Sequence, residues 1–440
     1  MKRSPHKINL SNGNNERQTM PNKKTRFQDG IFYKKRPVIP PGSGRNILSH
    51  NSTFAILFLR SKDGSSAQEI KKSLEILWKF YASLKRRQQV GSVLIGYGPR
   101  IFRLDGVKRA MPENLKWQFL PPSKLNRSIL EGCGIKFSEQ TQYNPGISED
   151  VVIQIISNTQ LETFNAIVET SKHVNPINNA KNVLNVSRFF TGFQRDDGRT
   201  WLGFHDEISN LSNERERTKA IFIEPEANDL RPRDYWTRSG TYMVFIRMEI
   251  DLSKWETIDR VQQECIVGRR KRDGMPLIGI DKRGTPVAVD KFKQKASMRT
   301  VLDHPDYFNL RYLPRRVLRK LDIDASVRIL TQSHVGRTRH LDAIPTNMTS
   351  SRRIFRQSFE FIEPLYESEK AFRLGTNFVS FQTDPRRLFF ILTDPNWMGG
   401  SNFGGESGRR EIPDILSVLA AGVFYVPPLE RPFPGESIFS

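Results

Sequence analysis

Apolar residues in this chain come in short uninterrupted runs, each followed by a capped amphipathic stretch. Phe54 to Arg60 (FAILFLR) reads as a buried strand. Ser66 and Glu69 then form a capping box for a helix with Ile70, Leu74, Leu77, Tyr81 and Leu84 on one face. The succession recurs: Val151 to Ile156 is followed by Thr159 and Glu162, and Tyr242 to Ile250 by Ser253 and Glu256, opening a helix with Trp255, Ile258 and Ile266. Asn377 to Phe381 is followed by Asp384 as N-cap and Pro385 at the first helical position.

Further strands are expected at Ser92 to Tyr97, Leu184 to Phe190, Val327 to Leu330 and Val423 to Val426. Together these elements make two copies of a β-α-β-β-α-β unit. The fold class is therefore α+β, with two ferredoxin-like halves whose antiparallel sheets carry their helices on one face. The expected division is a flexible basic arm over residues 1–46, an N-terminal half over 47–195 and a C-terminal half over 196–440. A site is expected where the halves meet, wrapped by the long connections near 100–150, 268–325 and 393–412. Gly399 to Gly405 lacks the Lys-Ser/Thr ending of a phosphate-binding loop and reads as a mobile loop.

Composition narrows the function classes. Two cysteines among 440 residues exclude a disulfide framework, zinc fingers and iron-sulfur clusters on ligand count. No apolar run reaches the roughly 20 residues of a membrane span. The formal charge is +22, and residues 1–50 carry eleven Lys and Arg against Glu16 and Asp29, which is +9 of it. The remainder is scattered in short clusters of the kind usual on solvated surfaces, which argues against a nucleic-acid partner. The first residues have positive charge but neither an apolar segment with a cleavage site nor a twin-arginine signal, so a cytoplasmic location is expected.

Two stretches carry candidate chemistry. Ser333 to Phe361 begins with His334 and Arg337 and reaches Arg352, Arg353 and Arg356 among Ile354, Phe355 and Phe359. Imidazole is a good axial ligand for haem iron and guanidinium can stabilise charge developing on oxygen, but a lone histidine and arginines on a solvated face would look the same. Thr200 to Leu211 places Asp206 after the apolar Trp201-Leu202-Gly203-Phe204, where a carboxylate could move a proton. The competing reading is a turn in which Asp206 and Asn210 bond their own backbone.

In these stretches the chain resembles the dye-decolorizing peroxidases. That family's Gly-x-x-Asp-Gly motif is matched by Gly203-Phe204-His205-Asp206-Glu207, its axial histidine by His334 and its distal arginine by Arg356. Gly240 to Arg247, Gly268 to Lys271, Phe381 to Arg387 and Phe424 to Pro428 add to the likeness, which covers roughly residues 50–430 in the family's order. The resemblance implies two ferredoxin-like halves enclosing haem b (heme, iron protoporphyrin IX), with His334 on the iron and Arg337 on a propionate. It implies hydrogen peroxide as oxidant, Asp206 as the proton carrier in heterolytic cleavage and Arg356 as the charge stabiliser. The reductant would be a phenolic or dye-like molecule, its electrons carried by residues such as Trp78, Trp117, Trp201, Trp236, Trp255 or Trp397. Asp384 is either the helix cap or an acceptor for the ring N–H of His334. Glu207 replaces the motif's last glycine. This substitution would couple a second carboxylate to Asp206 or strain the backbone, and it leaves open a non-enzymatic haem carrier or sensor.

Overall fold

The computed structural model of the protein describes residues 27–31, 53–120, 134–136, 143–174, 182–206, 210–211, 214–224, 228, 230–288, 313, 315–337, 354–366, 370–393 and 415–440. The N-terminal half holds β1 (Thr53–Ser61), β2 (Ser92–Tyr97), the short parallel pair β3 (Gln118–Leu120) and β4 (Gly134–Lys136), β5 (Val151–Ser157) and β6 (Leu184–Phe193). The C-terminal half holds β7 (Thr241–Ile250), β8 (Leu277–Asp281), β9 (Pro286–Ala288), β10 (Leu321–Asp322), β11 (Phe355–Pro364), β12 (Phe372–Gln382) and β13 (Leu416–Val426).

Eight of these strands close a barrel in the order β1-β5-β2-β13-β7-β12-β11-β6. Within each half the four barrel strands run fourth, first, third, second, the order that a β-α-β-β-α-β unit generates when both helices pack on one face. The halves join edge to edge, and each seam is a single described pair, Tyr97 with Tyr425 and Phe193 with Glu360.

Alternation along the strands sorts side chains into two cores. Phe54, Ile56 and Phe58 of β1, Met243 and Phe245 of β7 and Phe359 of β11 fill the barrel. Ala55, Leu57 and Leu59 of β1 and Val244, Ile246 and Met248 of β7 face the surrounding helices. The helix Ala67–Arg86 presents Ile70, Leu74, Leu77, Tyr81 and Leu84 to this outer layer. The Ser66–Glu69 capping box opens it, a device worth about 1 kcal/mol. At the helix Gln160–Val174 Thr159 Oγ1 accepts from Glu162 N–H (3.2 Å), while the Glu162 carboxylate accepts from Asn158 N–H (2.9 Å), one residue before Thr159.

Three local expectations change. Val327 to Leu330 lies within the helix Ile323–Gln332, capped by Asp322, and the second barrel strand of the C-terminal half is β11. Four apolar-rich residues cannot by themselves distinguish period two from period 3.6, and here the cap and the buried Ile329 decide. The segment after β7 splits into two helices, Leu252–Glu256 and Arg260–Val267, capped by Asp251 and Asp259 rather than Ser253. A carboxylate stands in the N-cap position of each, so the hydroxyl of Ser253 is not the cap. Finally, Phe27–Ile31, within the stretch expected to be a flexible arm, packs into the barrel. Gln28 donates to Ile95 O (3.0 Å) and Pro427 O (2.9 Å) and accepts from Ile95 N–H (2.8 Å), spanning the β2–β13 seam. Inside the barrel Gln357 donates to the carbonyls of Gly30 (3.0 Å) and Ile31 (3.2 Å). Among the described residues no helix is long and apolar enough to cross a membrane.

Candidate active site

Strand β11 organises the site through its period of two. Gln357 and Phe359 point into the barrel, so Arg356, Ser358 and Glu360 share its outer face. Across β12 this face continues with Ser380, Phe378 and Thr376, which pair with those three residues in register. Beyond them lie Val244, Ile246 and Met248 of β7. The result is an apolar floor bearing one guanidinium and one carboxyl. The hydroxyls of Ser380 and Thr376 are buried on it without a hydrogen-bond partner, a costly arrangement unless something else occupies the face.

The loop after β6 brings Asp206 to this face. Thr200 N–H donates to Phe204 O (2.9 Å), Gly203 N–H to Thr200 O (2.9 Å), and Asp206 N–H to Gly198 O (3.0 Å), which makes a tight hairpin-like turn. Gly203 sits at φ +84°, where glycine is favoured. Arg199 fastens the turn by donating to Gly203 O (2.6 Å) and Lys271 O (2.8 Å). Phe204 is buried against Trp255. Asn210 then locks the loop to β11: its amide donates to Arg356 O (2.7 Å) and its oxygen accepts from Arg356 N–H (3.1 Å).

A third element supplies Arg269. The helix Arg260–Val267 ends at Gly268, φ +80°, whose N–H donates to Glu264 O (2.7 Å). The next residue, Arg269, is 5% exposed and donates to Gly274 O (2.8 Å). Burial and the like charge of Arg356 push it down to about 9, while Asp206 opposes that shift. It therefore stays charged at neutral pH. The resemblance put Asp206 and Arg356 in one site, and each interacts with Arg269, a guanidinium that was not among the expected site residues.

His334 opens the short helix Val335 belongs to, His334–Arg337, which is half-buried at its first residue and packs against the end of the Arg260–Val267 helix. A Cβ on Gly268 would lie 2.4 Å from Ser333 Oγ and 3.3 Å from Val335 Cβ. Gly268 thus touches the His334 segment on one side, and Arg269 interacts with Asp206 and Arg356 on the other. The Arg337 side chain, Glu207, Arg352, Arg353, Trp397 and Gly399 to Gly405 lie outside the described residues. Asp384 accepts from Arg386 N–H (2.9 Å) and pairs with its guanidinium, so it is the helix cap.

Glu360 is the second residue that the sequence reading missed. It is 4% exposed, accepts a long 3.4 Å bond from Trp201 N–H, and is held well above the usual carboxylate range by burial and then by the charge of Asp206. Counting in twos from Arg356 would have put it on the same face. The site therefore assembles two guanidiniums and an acidic pair at an apolar floor, with the His334 segment across Gly268, an arrangement suited to holding an anionic, largely apolar group and to moving protons beside it.

A model of the Dyp-type peroxidase C-terminal region matches residues 197–431, just over half of the chain. Curated relatives called deferrochelatase, from Escherichia coli and Shigella sonnei, are 25% identical over 170 residues, 34% of this chain and 38% of their own length. Among solved structures, ferric DtpA from Streptomyces lividans matches with a TM-score of 0.61 at 18% identity over 93% of this chain and 98% of its own. A DyP-type peroxidase from Cellulomonas bogoriensis gives 0.60 at 17%, over 92% and 98%. A variant of DypB from Rhodococcus jostii in complex with heme gives 0.54 at 15%, over 86% and 93%. At these identities the structures bear on the fold.

Proposed function

Because the chain belongs to the DyP-type (dye-decolorizing) peroxidase family, we propose that it is a haem-dependent peroxidase that reduces hydrogen peroxide at the expense of phenolic or dye-like organic molecules. The observation that carries this reading is the convergence of Asp206, Arg356 and Arg269 on one face, with His334 across Gly268. No helix among the described residues can span a membrane, and we take the site of action to be cytoplasmic.

The residues fit haem b. Two neighbouring guanidiniums in a buried place favour a group bearing carboxylates, and the unpartnered hydroxyls of Ser380 and Thr376 leave polar capacity over an apolar floor. His334 would hold the iron, and Arg337, one turn on, would pair with a propionate. When bound, haem supplies the two-electron redox chemistry that breaks the O–O bond. Asp206 takes the proton from one peroxide oxygen and delivers it to the other, so that water leaves in a heterolytic cleavage. Arg356 offsets the negative charge that accumulates as the bond breaks, fixed in place beforehand by Asn210. The buried floor excludes water, which strengthens both effects.

A haem carrier or sensor remains the second reading, favoured by Glu207 in the motif's last position. The purified protein is expected to show a Soret band that changes on adding peroxide. His334→Ala should abolish the band and His340→Ala should leave it. A band that survives in His334→Ala overturns the ligand assignment, and a band unresponsive to peroxide favours the carrier.

A further inference from the structure

We propose that Glu360 is the internal proton donor to Asp206, passing protons inward from the Arg195–Asp197 edge of the β6–β11 seam. This rests on the peroxidase reading above. The overall reaction consumes one peroxide and two phenols and yields two waters and two phenoxyl radicals. Electrons can cross the protein from a phenol that never reaches the site. The two protons released outside must then enter separately, because the reduction of peroxide to two waters takes up two protons with two electrons.

The geometry supplies an entry. Glu360 lies on the outer face of β11 with Arg356, four residues away, roughly 13 Å at about 3.3 Å per residue. It forms the single described pair that joins β11 to β6, opposite Phe193, where the sheet is least continuous. Asp206, Asp197 and Arg195 face it from the loop after β6, and Trp201 N–H of that loop donates to its Oε2. From β12, Thr376 stands directly opposite with a buried, unpartnered hydroxyl that can donate to the carboxyl or to a water beside it. Arg269 from the helix end interacts with both Asp206 and Arg356, the latter on Glu360's own strand. Glu360 is 4% exposed, whereas the Asp197 side chain, paired with Arg195 at 2.7 Å, is 44% exposed. Glu360 thus lies buried between Asp206 at the site and the exposed carboxylate of Asp197 at the seam.

The proton balance is simple. The O–H bond of Glu360 breaks as one forms on the Asp206 carboxylate, and Glu360 recovers its proton from solvent at Asp197. Burial, and after it the charges of Asp206 and Asp197, raise the Glu360 carboxyl well above the usual carboxylate range, which favours the protonated form that a donor needs.

The test compares the full-length wild type with Glu360→Gln. A group whose pKa is raised by folding contributes its stability in full below the unfolded value, near 4.5, and loses it as pH rises towards the folded value. Melting temperatures of the two proteins should therefore differ by a constant below pH 4.5 and the variant should gain steadily above it. Steady-state turnover in dilute buffer should fall by roughly tenfold or more and recover when imidazole or acetic acid is added as a diffusible donor. If the variant does not fold, infrared spectra of the wild type still decide, since a protonated carboxyl band should persist at neutral pH. Parallel melting profiles, wild-type turnover in dilute buffer, or no such band each overturn the relay. A chain that takes up no haem overturns the peroxidase reading instead, and the melting comparison does not depend on it.

Discussion

Asn210 holds Arg356 by both backbone groups, accepting from its N–H at 3.1 Å and donating to its carbonyl at 2.7 Å, and so ties the Asp206 loop to strand β11. The asparagine does here what a neighbouring strand would do. Its partner on the chain is the residue whose side chain is proposed to offset charge on peroxide.

Asn210→Ala leaves a strand N–H and C=O without these partners and should cost about 1–3 kcal/mol of stability. Stopped-flow measurement of the peroxide reaction should show a fall smaller than that of Arg356→Leu, expected at about 10²–10³. Asp206→Asn should lose about 10²–10⁴ with its Soret band intact. If Asn210→Ala reacts as slowly as Arg356→Leu, the asparagine acts as more than an anchor.

Gly268→Ala should couple the two faces of the site. The residue is at φ +80° and a new Cβ would stand 2.4 Å from Ser333 Oγ, one residue before His334. Backbone strain alone costs on the order of 1 kcal/mol, and relief of the contact must displace the His334 helix. Haem titration should show weaker uptake than in Gly203→Ala, where the Cβ meets only the flexible end of Lys271 at 2.6 Å. Equal uptake would show that the His334 segment is not held through Gly268.

Gln28→Ala should lower stability although the residue lies far from the site. The substitution removes three hydrogen bonds at the β2–β13 seam, two of them to buried carbonyls, and a loss of about 3 kcal/mol is expected. Urea denaturation checks it. A change below about 0.5 kcal/mol, typical of surface substitutions, would mean that Phe27–Ile31 adds nothing to the barrel.

The local rules written in the sequence determined much of this protein. The capping box at Ser66, the Thr159 cap and alternating or continuous apolar runs define elements whose order already implies two β-α-β-β-α-β units. These signals act over three or four residues, so they survive without knowledge of the fold. Val327 to Leu330 failed because a short apolar run fits a helix as well as a strand, and the Asp322 cap and the burial of Ile329 settle it. The motif residues Asp206 and Arg356 were legible as a pair through resemblance. Arg269 and Glu360 were not, because a charge in a sequence carries no record of its burial. Glu207, the second carboxylate expected beside Asp206, lies outside the described residues, and the structure adds Glu360 from a strand more than a hundred residues away. Closing the barrel decided that: it joined two edges by one pair, placed that pair against the loop after β6, and removed the water that would otherwise have screened the two carboxyls from each other.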